Sequence, residues 1–208
     1  MAASDRRTAL VTGGTAGIGL TTAHGLASRG HEVIVVGRNS DRGTRAARDI
    51  SRAAAVPANF MSADLSTVSE VGRLADRILR RIPAGLDVVV HNVGGLYPER
   101  HLTTDGIEAT LATNVVAPLV LTRALLPALS GASPSRAVFV NSDAHRFRQT
   151  DLDDLNADRF HRGFDSYCTS VRSCNSSSPA RSAASSIRAR SRSSPSTQAR
   201  RGPARSRR

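Results

Sequence analysis

Three features of this sequence have residue types and spacings that could do chemistry. One is a glycine-rich run, Thr12-Gly-Gly-Thr-Ala-Gly-Ile-Gly19, set between an apolar strand-like segment and a helix-length segment. That context suits phosphate binding, because free N–H groups at a helix start face an anion and glycines let the chain come close to it. Gly13 permits the tight turn, Gly17 the approach to a pyrophosphate, and Gly19 close packing of helix on strand, with Thr15, Ala16 and Ile18 between them. The second feature is a hydroxyl pair, Ser142 and Tyr167, 25 residues apart. Taken alone, a serine and a tyrosine at this separation carry no signal, and a role for them has to come from the context that surrounds them. The third is charge: all 29 basic residues are arginine, and the sequence has no lysine.

The histidines and cysteines offer less. His24, His31, His101 and His161 show no metal-ligand spacing and read as surface residues, and Cys168 and Cys174 suit neither a disulfide framework nor a zinc site. Asp151, Asp153, Asp154 and Asp158 read as a solvated loop.

These residues need a scaffold, and the periodicity predicts one. From Thr8 to Asn141, short apolar runs alternate with helix-length amphipathic segments, the pattern of a parallel sheet covered on both faces. The strands fall at 9–12, 32–36, 58–62, 86–90 and 136–141, and the helices at 19–29, 41–55, 68–81 and 104–129, the last being one or two helices with Pro118 early in the second. The expected fold is therefore α/β, a Rossmann-type doubly wound parallel sheet limited to strands 1–5. Residues 1–170 form one domain, with 19 arginines against 17 acids. Residues 171–208 hold ten arginines, no acid and no aromatic residue, so they are expected to be a disordered Ser/Arg-rich tail that buries too little apolar surface to order itself. No membrane span and no signal peptide are read, and a cytoplasmic location is expected.

Residue by residue, positions 1–167 resemble the short-chain dehydrogenase/reductase family. The Gly-x-x-x-Gly-x-Gly spacing is that family's version of the loop. Gly37 is followed by Arg38 where an NAD-dependent member carries an acid, which implies NADP over NAD because a guanidinium binds a 2′-phosphate bidentately. Asp64-Leu65 matches the family's adenine-contacting pair. His91-Asn92-Val93-Gly94-Gly95 matches its Asn-Asn-Ala-Gly segment, with His91 and Val93 as departures. Asn114 falls where the family keeps a helix-bending, water-holding asparagine. The resemblance makes Ser142 the ligand of the substrate oxygen and Tyr167 the acid/base, with Ala-His after the serine and the long gap pointing to the retinol-dehydrogenase-like branch.

The pattern breaks at the family's Tyr-x-x-x-Lys, which here reads Tyr167-Cys-Thr-Ser-Val171. In the family that lysine anchors the nicotinamide ribose and places a positive charge beside the tyrosine. Family character stops after Ser170, which implies truncation or a frameshift. Codons for Ser173–Ala180 can be chosen so that the neighbouring frame encodes Lys-Leu-Gln-Leu-Leu-Leu-Thr-Arg. Resequencing the gene across the Ser170 codon decides between a frameshift product and a genuine tail.

The expectation is an NADP-dependent oxidoreductase of a small-molecule carbonyl or alcohol, impaired in this chain, with the family's oligomer compromised. A non-catalytic NADP-binding remnant is one alternative. The other is a nucleic-acid binder through the basic tail, where no specific recognition is expected because the tail lacks stacking aromatics and a folded reader.

Overall fold

A computed structural model describes residues 7–132, 134–147, 149, 151–159 and 161–176. Its centre is a five-stranded parallel sheet in the order β3-β2-β1-β4-β5, with β1 at Thr8–Thr12, β2 at Glu32–Gly37, β3 at Ala58–Ser62, β4 at Val88–His91 and β5 at Arg136–Phe139. Strand residues alternate between two cores. Leu10, Ile34, Val36 and Val89 join Val71, Leu74 and Ile78 of α3 (Val68–Arg81) and Leu121 and Leu125 of α5 (Ala117–Gly131). On the other face Val11, Val33, Val35 and Val90 meet Ala23 and Ala27 of α1 (Gly17–Ala27) and Ala47 and Ile50 of α2 (Ser40–Ala54). Fully burying each such branched side chain contributes about 1.5–3 kcal/mol.

Local chemistry starts the helices. Asn39 caps α2 by accepting from the Arg42 N–H at 2.8 Å, and Thr67 caps α3 by accepting from the Glu70 N–H. At Gly43 on α2 a Cβ would stand 2.1 Å from the Phe60 ring, so only glycine lets α2 lie this close to β3. The short α4 (Ala109–Leu111) begins at Glu108, whose carboxylate accepts from the Thr110 N–H, the Thr110 hydroxyl and the Leu111 N–H at 2.9–3.0 Å. A five-residue π-helical stretch, Ala112–Val116, then leads without a break into α5. The continuous helix Ala109–Gly131 is long and apolar enough to cross a membrane, but its apolar residues supply the core against α3 and the sheet.

Several expectations are corrected. The helix expected from 104 starts at Ala109, because Leu102 and Glu108 bridge across a turn closed by the Thr103 N–H···O Ile107 hydrogen bond. Strand β4 begins two residues later than its apolar run, since the Leu86 N–H is drawn to the Ala128 carbonyl of α5. Two histidines are inside: His31 is buried with Nδ1 3.2 Å from the Leu26 carbonyl, and His161 lies against Glu108. The expected break after Ser170 also moves. Helix α6 runs Gly163–Ser176, and Val171 and Ser173 are buried because they follow the buried Cys168 and Ser170 by three positions on the same face. The rest of the expected tail, 177–208, lies outside the described residues.

Candidate active site

The glycine-rich loop connects β1 to α1, and its geometry explains its residues. Gly13 and Gly17 have φ of +64° and +51°, the left-handed region that favours glycine. At Gly19 a Cβ would meet the Gly13 carbonyl oxygen at 2.3 Å and Asn92 Nδ2 at 2.4 Å, so the helix can only start here if that position is bare. Nothing comes within 4 Å of a Cβ built at Gly17, which leaves its backbone open on the outer side of the loop. Ile18 projects outward and is 70% exposed.

Asn92 holds this loop from behind. Its Nδ2 donates to the carbonyls of Thr12 and Gly13 at 3.2 Å, while Thr12 Oγ1 accepts from the N–H groups of Asn92 and Val93 at 3.1 Å. Asn92 is thus a clamp between the ends of β1 and β4, outside the lining of the groove that the loop forms.

That groove has a volume of about 190 Å³ and lies at the carboxyl ends of β1, β2 and β4. It is lined by Gly13, Thr15 and Ala16 from the loop, Arg38 after β2, Asp64 and Leu65 after β3, and Val93 and Gly94 after β4. Eight of the twelve residues expected at a cofactor are therefore gathered around one space. Three further lining residues, Arg42, Tyr97 and Thr113, carried no sequence signal as ligands. Thr113 Oγ1 is a buried polar atom without a hydrogen-bond partner at the wall of the groove. Two guanidinium-bearing residues, open glycine backbone and an unsatisfied hydroxyl fit an anionic, polyhydroxylated dinucleotide.

Two of the expected reaction residues, Ser142 and Tyr167, lie beyond β5. Ser142 follows β5 and caps a short 3₁₀ turn, Asp143–Arg146, accepting from the Ala144 N–H at 3.2 Å. Its hydroxyl proton remains to be donated elsewhere. Tyr167 packs on Ala144, Cys168 and Val171, which lays α6 along the turn that Ser142 caps. Asn114 sits in the π-helical stretch, where Oδ1 accepts from the Gly95 N–H at 2.9 Å and Nδ2 donates to the Gly95 carbonyl and to Ser170 Oγ at 3.0 Å. Ser170 in turn donates to the Tyr167 carbonyl at 2.8 Å. The structure therefore links Asn114 to the tyrosine helix by one serine, at the residue before Val171. Val171 itself is 5% exposed and packs inward.

Strand β4 ends in His91, buried against Phe139 with ring centroids 4.7 Å apart. Burial pushes its pKa down to about 3. Thr122 Oγ1 gives its only proton to the Pro118 carbonyl, so the 2.7 Å contact with His91 Nε2 requires the imidazole to donate there. Its Nδ1 is then a buried acceptor without a partner. Among the described residues no three histidines, cysteines or acids are grouped to hold a metal ion.

Comparison with known proteins gives the same reading of the fold. The family model described as short chain dehydrogenase matches residues 7–151. A Streptomyces sp. (strain C5) protein, DnrU, named for daunorubicin C-13 ketoreduction, is 38% identical over 156 residues, 75% of this chain and 53% of its own length. Human retinol dehydrogenase 13 is 32% identical over 151 residues, 72% of this chain and 45% of its own. The chain thus spans about half the length of the curated relatives it matches. A Shigella flexneri protein solved in complex with NADP superposes with a TM-score of 0.63 at 28% identity, covering 80% of this chain and 66% of that one. With its parallel sheet, its glycine loop and a match over most of its length, this chain belongs to the short-chain dehydrogenase/reductase family.

Proposed function

We propose that this chain binds NADP(H) in the groove at the ends of β1, β2 and β4, and that the reaction of its lineage is hydride transfer between that cofactor and a carbonyl or alcohol. The observation that carries the reading is the convergence of the loop, Arg38, Asp64 and Val93-Gly94 on one groove. Arg38 and Arg42 at that groove support NADP over NAD, since a 2′-phosphate can take charge-assisted hydrogen bonds from them. The relative solved with NADP supports the same choice.

Bound NADPH would supply the hydride. The chain's own contribution is to orient and protonate: the Ser142 hydroxyl donates to the substrate oxygen, and Tyr167 delivers its phenolic proton to that oxygen as the alcohol forms. Asn114 holds the tyrosine helix in place through Ser170. Val171 brings no positive charge to the tyrosine, so turnover is impaired while the adenosine end of the site is intact. Binding without turnover is the second reading, and the inward packing of Val171 is what favours it.

Fluorescence titration with NADPH and NADH, beside a reductase screen, tests both. NADPH is expected to bind at least about tenfold tighter, a difference of about 1.4 kcal/mol, and Arg38→Asp to remove that preference. Failure of both nucleotides to bind would overturn the proposal. Binding with no turnover on any carbonyl selects the second reading.

A further inference from the structure

Thr21, Thr22, Thr122 and Ser173 each donate to the carbonyl four residues earlier, at 2.8–3.2 Å, the ordinary way a helix satisfies a hydroxyl. Thr110, with no such bond, donates to the Glu108 carboxylate at 2.9 Å. Thr113 does neither. It is 6% exposed, and its Oγ1 is buried without a partner among the described residues. The cause is local. Thr113 lies in the π-helical stretch, where the backbone ladder reaches five residues back, as from the Ala117 N–H to the Ala112 carbonyl. In that widened turn the hydroxyl finds no carbonyl. Hiding it from water without a bond costs the empty protein free energy.

The surroundings of Thr113 indicate what would complete it. It stands in the wall of the groove at the ends of β1, β2 and β4. The stretch that carries it borders the segment after β3, where Leu65, Ser66, Ala112 and Val116 line one crevice. It also borders Gly94, at which a Cβ would stand 3.3 Å from Asn114 Oδ1. Val36, Ala63, Leu65 and Val93 give the groove apolar wall, which suits the faces of a flat ring. Arg38, Arg42 and the open glycine backbone are there to receive phosphates. The uncharged base is left for the lone hydroxyl.

We propose that the Thr113 hydroxyl donates to a ring nitrogen of the adenine base, and that the π-helical stretch serves binding by keeping this proton out of the helix. The inference rests on the reading that NADP(H) occupies the groove, and it names the side chain that holds the base. The hydroxyl is then a cost to the empty protein and a gain to the complex. Those opposite signs separate a ligand-holding group from a structural one.

The test uses the full chain. Thr113→Val keeps the shape of the side chain and removes the hydroxyl. Without nucleotide, its urea midpoint is expected to equal or exceed that of the parent, because a methyl replaces a buried group that has no partner. Its affinity for NADPH, and for 2′,5′-ADP, which lacks the nicotinamide half, is expected to fall by one common factor. That factor is at least about threefold, the worth of a single hydrogen bond. Thr113→Ser is expected to restore both affinities. The accepting atom is read with three analogues of 2′,5′-ADP, each with one ring nitrogen of adenine replaced by CH. The parent is expected to discriminate against one of them by the same factor, and Thr113→Val to lose that discrimination.

A lower urea midpoint for Thr113→Val overturns the proposal, since the hydroxyl then has a partner in the folded chain. So does an unchanged affinity, or a parent and variant that rank the three analogues alike. A parent that binds neither NADPH nor 2′,5′-ADP overturns the NADP(H) reading together with this one. A parent that binds both, with no response to Thr113→Val, leaves that reading standing and removes only the role of Thr113.

Discussion

Asn114 Nδ2 donates directly to Ser170 Oγ at 3.0 Å, and both side chains are almost fully buried. The contact ties the helix before α5 to the helix that carries Tyr167, with no intervening group. Ser170→Ala leaves Asn114 with Gly95 alone. The expected cost is about 1–2 kcal/mol in urea denaturation, with α6 loosening first in hydrogen exchange. Unchanged stability and unchanged exchange in α6 would show that the bond does not hold the helix.

Val171, which the resemblance sets at the family's lysine position, packs on Ala144 and Cys168. Val171→Lys buries an ammonium in the apo protein and is expected to lower its melting temperature. With NADPH bound, the new charge favours the ionised tyrosine, so carbonyl reduction is expected to rise at least about tenfold. Turnover that stays at the parent level in the folded variant would show that Val171 does not limit the reaction.

Gly19 leaves no room for a side chain, with a Cβ 2.3 Å from the Gly13 oxygen and 2.4 Å from Asn92 Nδ2. Gly19→Ala is expected to cost about 1–3 kcal/mol through forced backbone shifts, and to abolish NADPH binding by opening the loop. Gly72 provides the control, since no atom lies within 4 Å of a Cβ there. Gly72→Ala is expected to be neutral or stabilising by a few tenths of a kcal/mol up to about 1 kcal/mol, because it replaces a helical glycine.

His91 makes stability depend on pH. Its folded pKa of about 3 lies below the 6.5 of the free side chain. Between those values the unfolded chain binds a proton that the folded chain does not, so stability rises with pH across the window and is lost on acidification. From pH 7.5 to pH 5 the loss from this group is about 2 kcal/mol. In His91→Asn the difference between urea curves at the two pH values is expected to shrink by that amount. An unchanged difference would assign the acid sensitivity to other groups.

The sheet was legible because its signals are local. β2, β3 and α3 fall where apolar periodicity and flanking turns put them, and the α3 boundaries agree at Val68 and Arg81. The groove was legible wherever a glycine or an arginine had a backbone reason to be there. Thr113 and Tyr97 were not, because a threonine within a helix and a tyrosine in a loop reveal no direction until the π-helical stretch and the 92–98 segment are folded. Glu108 was missed for a related reason. An acid before Ala-Thr-Leu suggests exposure, and only its three hydrogen bonds explain how it lies 1% exposed. The helix beyond Ser170 was missed because composition averaged over 38 residues hid a short stretch that continues α6.

The π-helical stretch Ala112–Val116 acts on everything downstream as a phase shift. One residue more than an α-helix needs is spent there, and each helical residue turns the chain by about 100°. Removing a single residue from this stretch would return it to α geometry and rotate α5 by that angle relative to Glu108. Leu121 and Leu125 would swing off the sheet, and Asn114 would lose its line to Ser170. A point substitution here acts through the contacts of its own side chain, whereas a one-residue deletion moves the whole of α5 and the tie to the tyrosine helix together.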